Sequence, residues 1–182
     1  MNENRIKILA ISGSLRSNSS NTALVRAIAN LSPKNIEFTI YNGLGDLPHF
    51  NPDIDIDDNE PPAVKDLRTQ LKEADGVLLC TPEYANGVPG VLKNALDWIV
   101  SSGEFVNKPV AVISASPHPL GGEKAHASLL LTLNMVSAEV VEGGTLIIPF
   151  INLKLKEGVM DPGTAEDLKS VLHALIQAIR VH

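Results

Sequence analysis

Apolar positions along the chain fall into two patterns that take turns. Residues 5–11 (RIKILAI) form a short, β-branched, almost unbroken apolar run, which reads as a strand covered on both faces. Residues 21–31 follow, with Ala23, Leu24, Ala27, Ile28 and Leu31 on one helical face. Residues 35–41 (NIEFTIY) alternate like a more exposed strand, and 61–74 form a proline-opened helix with Val64, Leu67, Leu71 and Ala74 in register. The exchange continues with a buried strand at 75–81 (DGVLLCT) and a helix at 89–101 carrying Leu92, Ala95, Leu96 and Ile99. A strand at 108–115, an apolar helix at 121–136 and a strand at 139–148 interrupted by Gly143 and Gly144 come next. Asp161 then reads as an N-cap and Pro162 as the first residue of a last helix, striped by Leu168, Val171, Leu172, Leu175, Ile176 and Ile179.

Strands alternating with helices to the end of the chain predict an α/β protein with a mostly parallel sheet. Such sheets bind ligands beyond the carboxyl ends of their strands. Function is therefore expected after Ile11, Thr81 and Ala115. The length of 182 residues and the 44% hydrophobic content suit one domain, 1–182, with a core that needs no staple. One cysteine, Cys80, excludes an internal disulfide and a cysteine-cluster metal site, and no metal site is expected. A net charge of −6 with no basic run argues against nucleic acid and anionic membranes as partners. No apolar stretch reaches the roughly 18 residues of a membrane span, and the first residues lack a signal-peptide pattern. A cytoplasmic protein is expected.

The three strand-end segments are unusual. Residues 12–21 (SGSLRSNSSN) place hydroxyls, amides and Arg16 between a buried strand and a helix start, a composition suited to a phosphate. The spacing is neither GxxxxGK[ST] nor GxGxxG. Residues 81–90 (TPEYANGVPG) are stiffened by two prolines and present Tyr84, with Glu83 free to cap or pair locally. Residues 114–122 (SASPHPLGG) allow close backbone approach through Gly121 and Gly122. His118 reads there as an exposed loop histidine, because no acid or nucleophile partner is identifiable. GxSxG and HExxH are both absent from the sequence, which weakens hydrolase readings.

GSLRSNSSN, ADGVLLCTPEYANGVPGVLKNALDW and NKPVAVISAS with its downstream Gly–Gly together resemble the NADPH-dependent FMN reductase family, over residues 6–141. The resemblance implies a flavodoxin-like three-layer α/β/α sandwich with a five-stranded parallel sheet in the order 2-1-3-4-5. It implies FMN as cofactor and NADPH or NADH as electron donor, with the chemistry carried by the flavin and no catalytic side chain. Ser14, Arg16, Ser19, Ser20 and Asn21 would meet the flavin phosphate. Pro82, Glu83, Tyr84 and Asn86 would rest against the isoalloxazine edge, largely through backbone groups, and Ser116 and Gly121 would close the other side. Ping-pong hydride transfer would pass electrons to a small-molecule acceptor such as a quinone, azo dye, chromate or flavin. A homodimer or homotetramer is implied, with the helix at 89–101 near the contact. Two departures stand out: Ala85 occupies the place where the family commonly has asparagine, and Pro117, His118 and Pro119 replace a more glycine-rich stretch.

The alternatives are an FMN-binding electron carrier of flavodoxin type without nicotinamide turnover, and a regulatory protein that has lost the flavin. The segment 42–60 is long for a loop, and it carries Asp53, Asp55, Asp57, Asp58 and Glu60 with no basic neighbour. It lacks the glycine and glutamate of an EF-hand loop and is expected to be a solvated acidic loop, with 47–50 a candidate lid or subunit contact. Trp98 is expected in packing rather than against a flavin.

Overall fold

Strands apolar on both faces need cover from both sides. The computed structural model, which describes residues 5–56, 59–156 and 158–182, has that cover. β1 (Ile6–Ser12), β2 (Ile36–Tyr41), β3 (Gly76–Thr81), β4 (Pro109–Ala115) and β5 (Glu139–Ile148) form one sheet in the order β2-β1-β3-β4-β5. Every neighbouring pair is parallel. On one face, Leu9, Ile11, Val77, Leu79, Val110 and Val112 pack under α2 (Pro62–Glu73), α3 (Gly90–Trp98) and α4 (Glu123–Met135). On the other, Ile8, Ala10, Leu78, Cys80, Ala111 and Ile113 pack under α1 (Ser20–Leu31) and the last helix, Pro162–Val181. Alternate residues of one strand thus serve two cores, which is why these runs show no polar alternation. The order of strands reverses between β1 and β3, and that switch point opens the crevice expected for a ligand.

Most helices begin and end within two residues of the sequence reading, but α3 stops at Trp98, three residues short of the expected end at 101. Asp161 caps the last helix by accepting the N–H of Thr164, with Pro162 behind it. Lys108 Nζ donates to the carbonyls of Leu71 and Ala74, at 2.7 and 2.5 Å, and so closes the C-terminus of α2. The Gly143–Gly144 interruption of β5 is a bulge: Val110 pairs with Val140, but Val112 pairs with Thr145. Three extra residues on β5 are accommodated there, with Gly143 at φ 73°.

Two regions differ from the sequence reading. Between β5 and the last helix the chain forms a four-residue helix, α5 (Ile151–Lys154), and a small antiparallel pair, β6 (Leu155–Lys156) and β7 (Val159–Met160); the last helix is therefore α6. Two-residue strands have no period to detect. The acidic segment is anchored rather than freely solvated. Leu44 and Leu47 are buried, and the Phe50 ring meets Trp98 edge-on at 5.1 Å. The Pro48 carbonyl accepts from Asn94 Nδ2 at 2.9 Å and Trp98 Nε1 at 2.8 Å. Asp55 accepts from Arg68 and Ser101, both at 2.7 Å. Asp57 and Asp58 of that segment lie outside the described residues. Among the described residues no helix is long and apolar enough to cross a membrane, and no cluster of metal-ligating side chains occurs.

Candidate functional site

The first strand-end segment is locked to the sheet before it reaches α1. Gly13 N–H donates to the Cys80 carbonyl at 2.8 Å, and the Ser12 and Thr22 hydroxyls lie 2.8 Å apart. Ser19 is the N-cap of α1, its hydroxyl accepting from Thr22 N–H. Asn21 is buried and both ends of its amide are engaged. Nδ2 donates to the Ala115 carbonyl at 3.1 Å, and Oδ1 accepts from Cys80 Sγ at 3.2 Å. Asn21 therefore ties the ends of β3 and β4 to α1. Burial pushes the Cys80 thiol well above its usual range, which keeps it protonated as that donor. The backbone N–H groups of Ser20 and Asn21 have no partner among the described residues, and no acidic residue sits in the first turn of α1.

The second segment closes as a two-residue turn. Tyr84 and Gly87 exchange backbone bonds at 3.1 and 3.0 Å, with Ala85 at φ 49° and Asn86 at φ 61°, the sign pattern of a type I′ turn. The Glu83 carboxylate accepts the N–H groups of Lys124 (2.9 Å) and Ala125 (3.0 Å). It caps α4 from a distance, where Gly122, the N-cap residue, has no side chain to do so. Asn86 Oδ1 accepts from Lys124 Nζ at 3.2 Å. The second segment and the start of α4 are thereby joined. The Tyr84 ring is half exposed, its hydroxyl 3.4 Å from Ser14 Oγ.

The third segment is stitched to the end of β5. Ser116 N–H donates to the Ile148 carbonyl, the Ser116 carbonyl accepts from Ile151 N–H, and the His118 carbonyl accepts from Phe150 N–H. Gly121 sits at φ 60°, where an added Cβ would lie 2.5 Å from Ile147 Cγ2 and 2.9 Å from the Pro149 nitrogen. Only glycine fits that crossing.

Between the three segments lies a cavity of about 770 Å³, within the range of small-molecule sites. Of the residues named from the sequence, Ser14, Arg16, Ser19, Ser20, Asn21, Pro82, Glu83, Tyr84 and Ser116 line it. Asn86 and Gly121 do not: the first reaches to Lys124 and the second shapes the turn behind the wall. The wall also includes Asn18, His118, Ile151, Asn152, Leu155 and Gly158. His118 was visible in the sequence as a histidine held between two prolines. The contribution of Ile151, Asn152, Leu155 and Gly158 carried no sequence signal, because neither α5 nor the β6–β7 pair is long enough to show a period.

The donor set at the α1 end fits a phosphate-bearing flavin. Free backbone N–H groups, the Ser14 and Ser20 hydroxyls and an Arg16 with no ion pair among the described residues face one concavity. The helix dipole adds partial positive charge there. The Pro82–Tyr84 end offers a stiff backbone and one ring to a flat head.

Comparison with known proteins agrees with this geometry. The sequence profile of the NADPH-dependent FMN reductase family matches residues 6–152. The chain is 29% identical over 185 residues to a quinone reductase of Escherichia coli, covering 97% of this chain and 98% of that one. It is 33% identical over 183 residues to an NADPH azoreductase of a Bacillus species, covering 97% and 92%. Among solved structures, the flavoenzyme NAD(P)H:(acceptor) oxidoreductase FerB from Paracoccus denitrificans superposes with a TM-score of 0.86 at 31% identity, covering 97% and 98%. With a flavodoxin-like sheet, a phosphate-suited strand-end cavity and a profile match spanning both, the chain belongs to the NADPH-dependent FMN reductase family and is a flavin-dependent oxidoreductase.

Proposed function

We propose that the protein oxidises NAD(P)H and reduces a small acceptor of the quinone or azo class, using FMN held in the cavity between its three strand ends. The observation that carries this reading is a cavity that joins a helix start with free N–H groups to a stiff backbone edge. When bound, the flavin supplies the redox step, accepting a hydride from the nicotinamide and giving electrons to the acceptor. The chain's part is to hold and orient. Ser14, Arg16, Ser20 and the N–H groups opening α1 hold the phosphate. Ser19 and Asn21 support that turn, Ser19 as helix cap and Asn21 as a tie between strands. The 82–84 backbone and Ser116 border the ring system, while Glu83 keeps the second segment fastened to α4.

One opening serves both donor and acceptor, so each must leave before the other enters. The protein works as a homo-oligomer in the cytoplasm, where reduced nicotinamide is supplied. Exposed Leu131 and Met135 on α4, 73% and 60% accessible, are apolar surface that a second copy would cover. The test uses FMN-loaded protein whose mass is first fixed by light scattering. With NADPH and a benzoquinone, double-reciprocal plots should be parallel. Intersecting lines would overturn the shared opening, a monomeric mass would overturn the assembly, and absence of NADPH oxidation would overturn the enzyme.

A further inference from the structure

Reducing a quinone to a hydroquinone takes two electrons and two protons. A hydride brings both electrons and one proton; the second proton must reach an oxygen on which negative charge is developing. We propose that His118 delivers it, an assignment that rests on the quinone-type reading of the acceptor.

Four ionisable side chains line the cavity: Arg16, Glu83, Tyr84 and His118. A guanidinium does not release its proton in proteins. Glu83 turns its carboxylate to the N–H groups of Lys124 and Ala125, where it serves as an acceptor. A phenol keeps its proton to well above neutral pH. Imidazole is the side chain whose ordinary titration falls between pH 5 and 8, so it can both hold and give a proton under working conditions.

His118 is also placed for this task. Its ring makes no hydrogen bond among the described residues, while its backbone is fixed at both ends. Its N–H donates to Ser116 Oγ at 3.2 Å, and its carbonyl accepts from Gly121 and Phe150. Pro117 fixes the approach, and Pro119 confines His118 to extended backbone. A clamped backbone thus presents a free ring to the cavity at little ordering cost. The ionisable groups that share the cavity with it are Arg16 from the first segment and Glu83 and Tyr84 from the second. Asn152 of α5 adds an uncharged polar neighbour. Both signs are present, so the ring is not surrounded by one kind of charge.

In the step itself, the N–H bond of the His118 imidazolium breaks and its electron pair stays on the ring nitrogen. An O–H bond forms on the acceptor, and water later reprotonates the ring. The nicotinamide is oxidised and the quinone reduced; one quinone, one hydride and one proton give one hydroquinone.

The experiment compares FMN-loaded wild type with His118→Gln and His118→Ala, using 1,4-benzoquinone and ferricyanide. Ferricyanide takes electrons and no proton. Quinone kcat/KM should fall about 100-fold in both variants and lose the pH dependence that wild type shows. Ferricyanide rates should stay within about twofold, and added imidazole should restore quinone turnover to His118→Ala. As a readout independent of turnover, the His118 ring signals in the NMR spectrum of the oxidised protein should move when hydroquinone is added. Equal losses with both acceptors, or unchanged quinone kinetics, would overturn the assignment, as would ring signals indifferent to hydroquinone. Wild type that reduces ferricyanide but not benzoquinone would instead overturn the acceptor reading on which it rests.

Discussion

Ala85 carries a backbone cost that its sequence does not advertise. An L-residue other than glycine or asparagine at φ 49° crowds its Cβ against the backbone, at about 1–2 kcal/mol. The turn holds because Tyr84 and Gly87 pair across it and Asn86 and Glu83 fasten it to α4. Asparagine tolerates this conformation better. Ala85→Asn should therefore stabilise the protein by about 0.5–1 kcal/mol in urea unfolding; a lower midpoint would show that the turn is not strained. At this scale the sequence told which loops matter but not what each side chain does. Glu83, Asn21 and Asn86 stood out as ligand contacts because they sit in family motifs. Their partners are backbone groups, the Cys80 thiol and a lysine on other elements, brought near only by tertiary structure.

At the scale of elements, the clearest case is the junction of the 42–60 segment with α2 and α3. The helical stripe of α2 was legible from Val64, Leu67 and Leu71, but counting apolar positions passed over Arg68, which is buried beside them. Arg68 binds the Trp98 carbonyl and Asp55, whose carboxylate also accepts from Ser101. Its partner lies 13 residues away across an irregular loop, so no helical spacing announces the pair. Burial by itself would raise the Asp55 carboxyl, but the hydrogen bonds from Ser101 and Arg68 outweigh it and hold the group below its usual range. A carboxyl depressed in the fold contributes stability above its unfolded pKa, about 3.9. That contribution is lost as pH falls through the lower folded value. Asp55→Asn should cost about 2–3 kcal/mol at pH 7, and the gap from wild type should close as the solution is taken below about pH 4. A gap that persists in acid would assign the effect to packing instead. The β5 bulge was readable because two glycines break an apolar run. The β6–β7 pair was not, since its register depends on contacts rather than on pattern.

For the whole molecule, periodicity established the alternation of strands and helices, while the strand order came only through family resemblance. A run that is apolar on both faces says that a strand is central, not which neighbours it has. The same blindness applies to His126, which reads as one more position on the apolar helix at 121–136. It is 6% exposed on the inner side of α4, its Nδ1 without a hydrogen-bond partner. Of the five histidines it alone is buried; the others are exposed. Burial disfavours the imidazolium and pushes the His126 pKa below its ordinary value. The unfolded chain takes up this proton near pH 6.5, and the folded chain does so only at lower pH. Global stability should therefore be complete above pH 6.5 and decline as pH falls toward the folded value, a window separate from the carboxylate losses below about pH 4. His126→Leu removes both the titration and the unpartnered nitrogen. Urea unfolding at pH 7.5 should find that variant equal to wild type or more stable by about 1 kcal/mol. At pH 5 its advantage should be larger, because only wild type carries the penalty. If the two lines run parallel between pH 7.5 and 5, the acid sensitivity of the fold arises elsewhere, and the buried ring is no more than a packing residue.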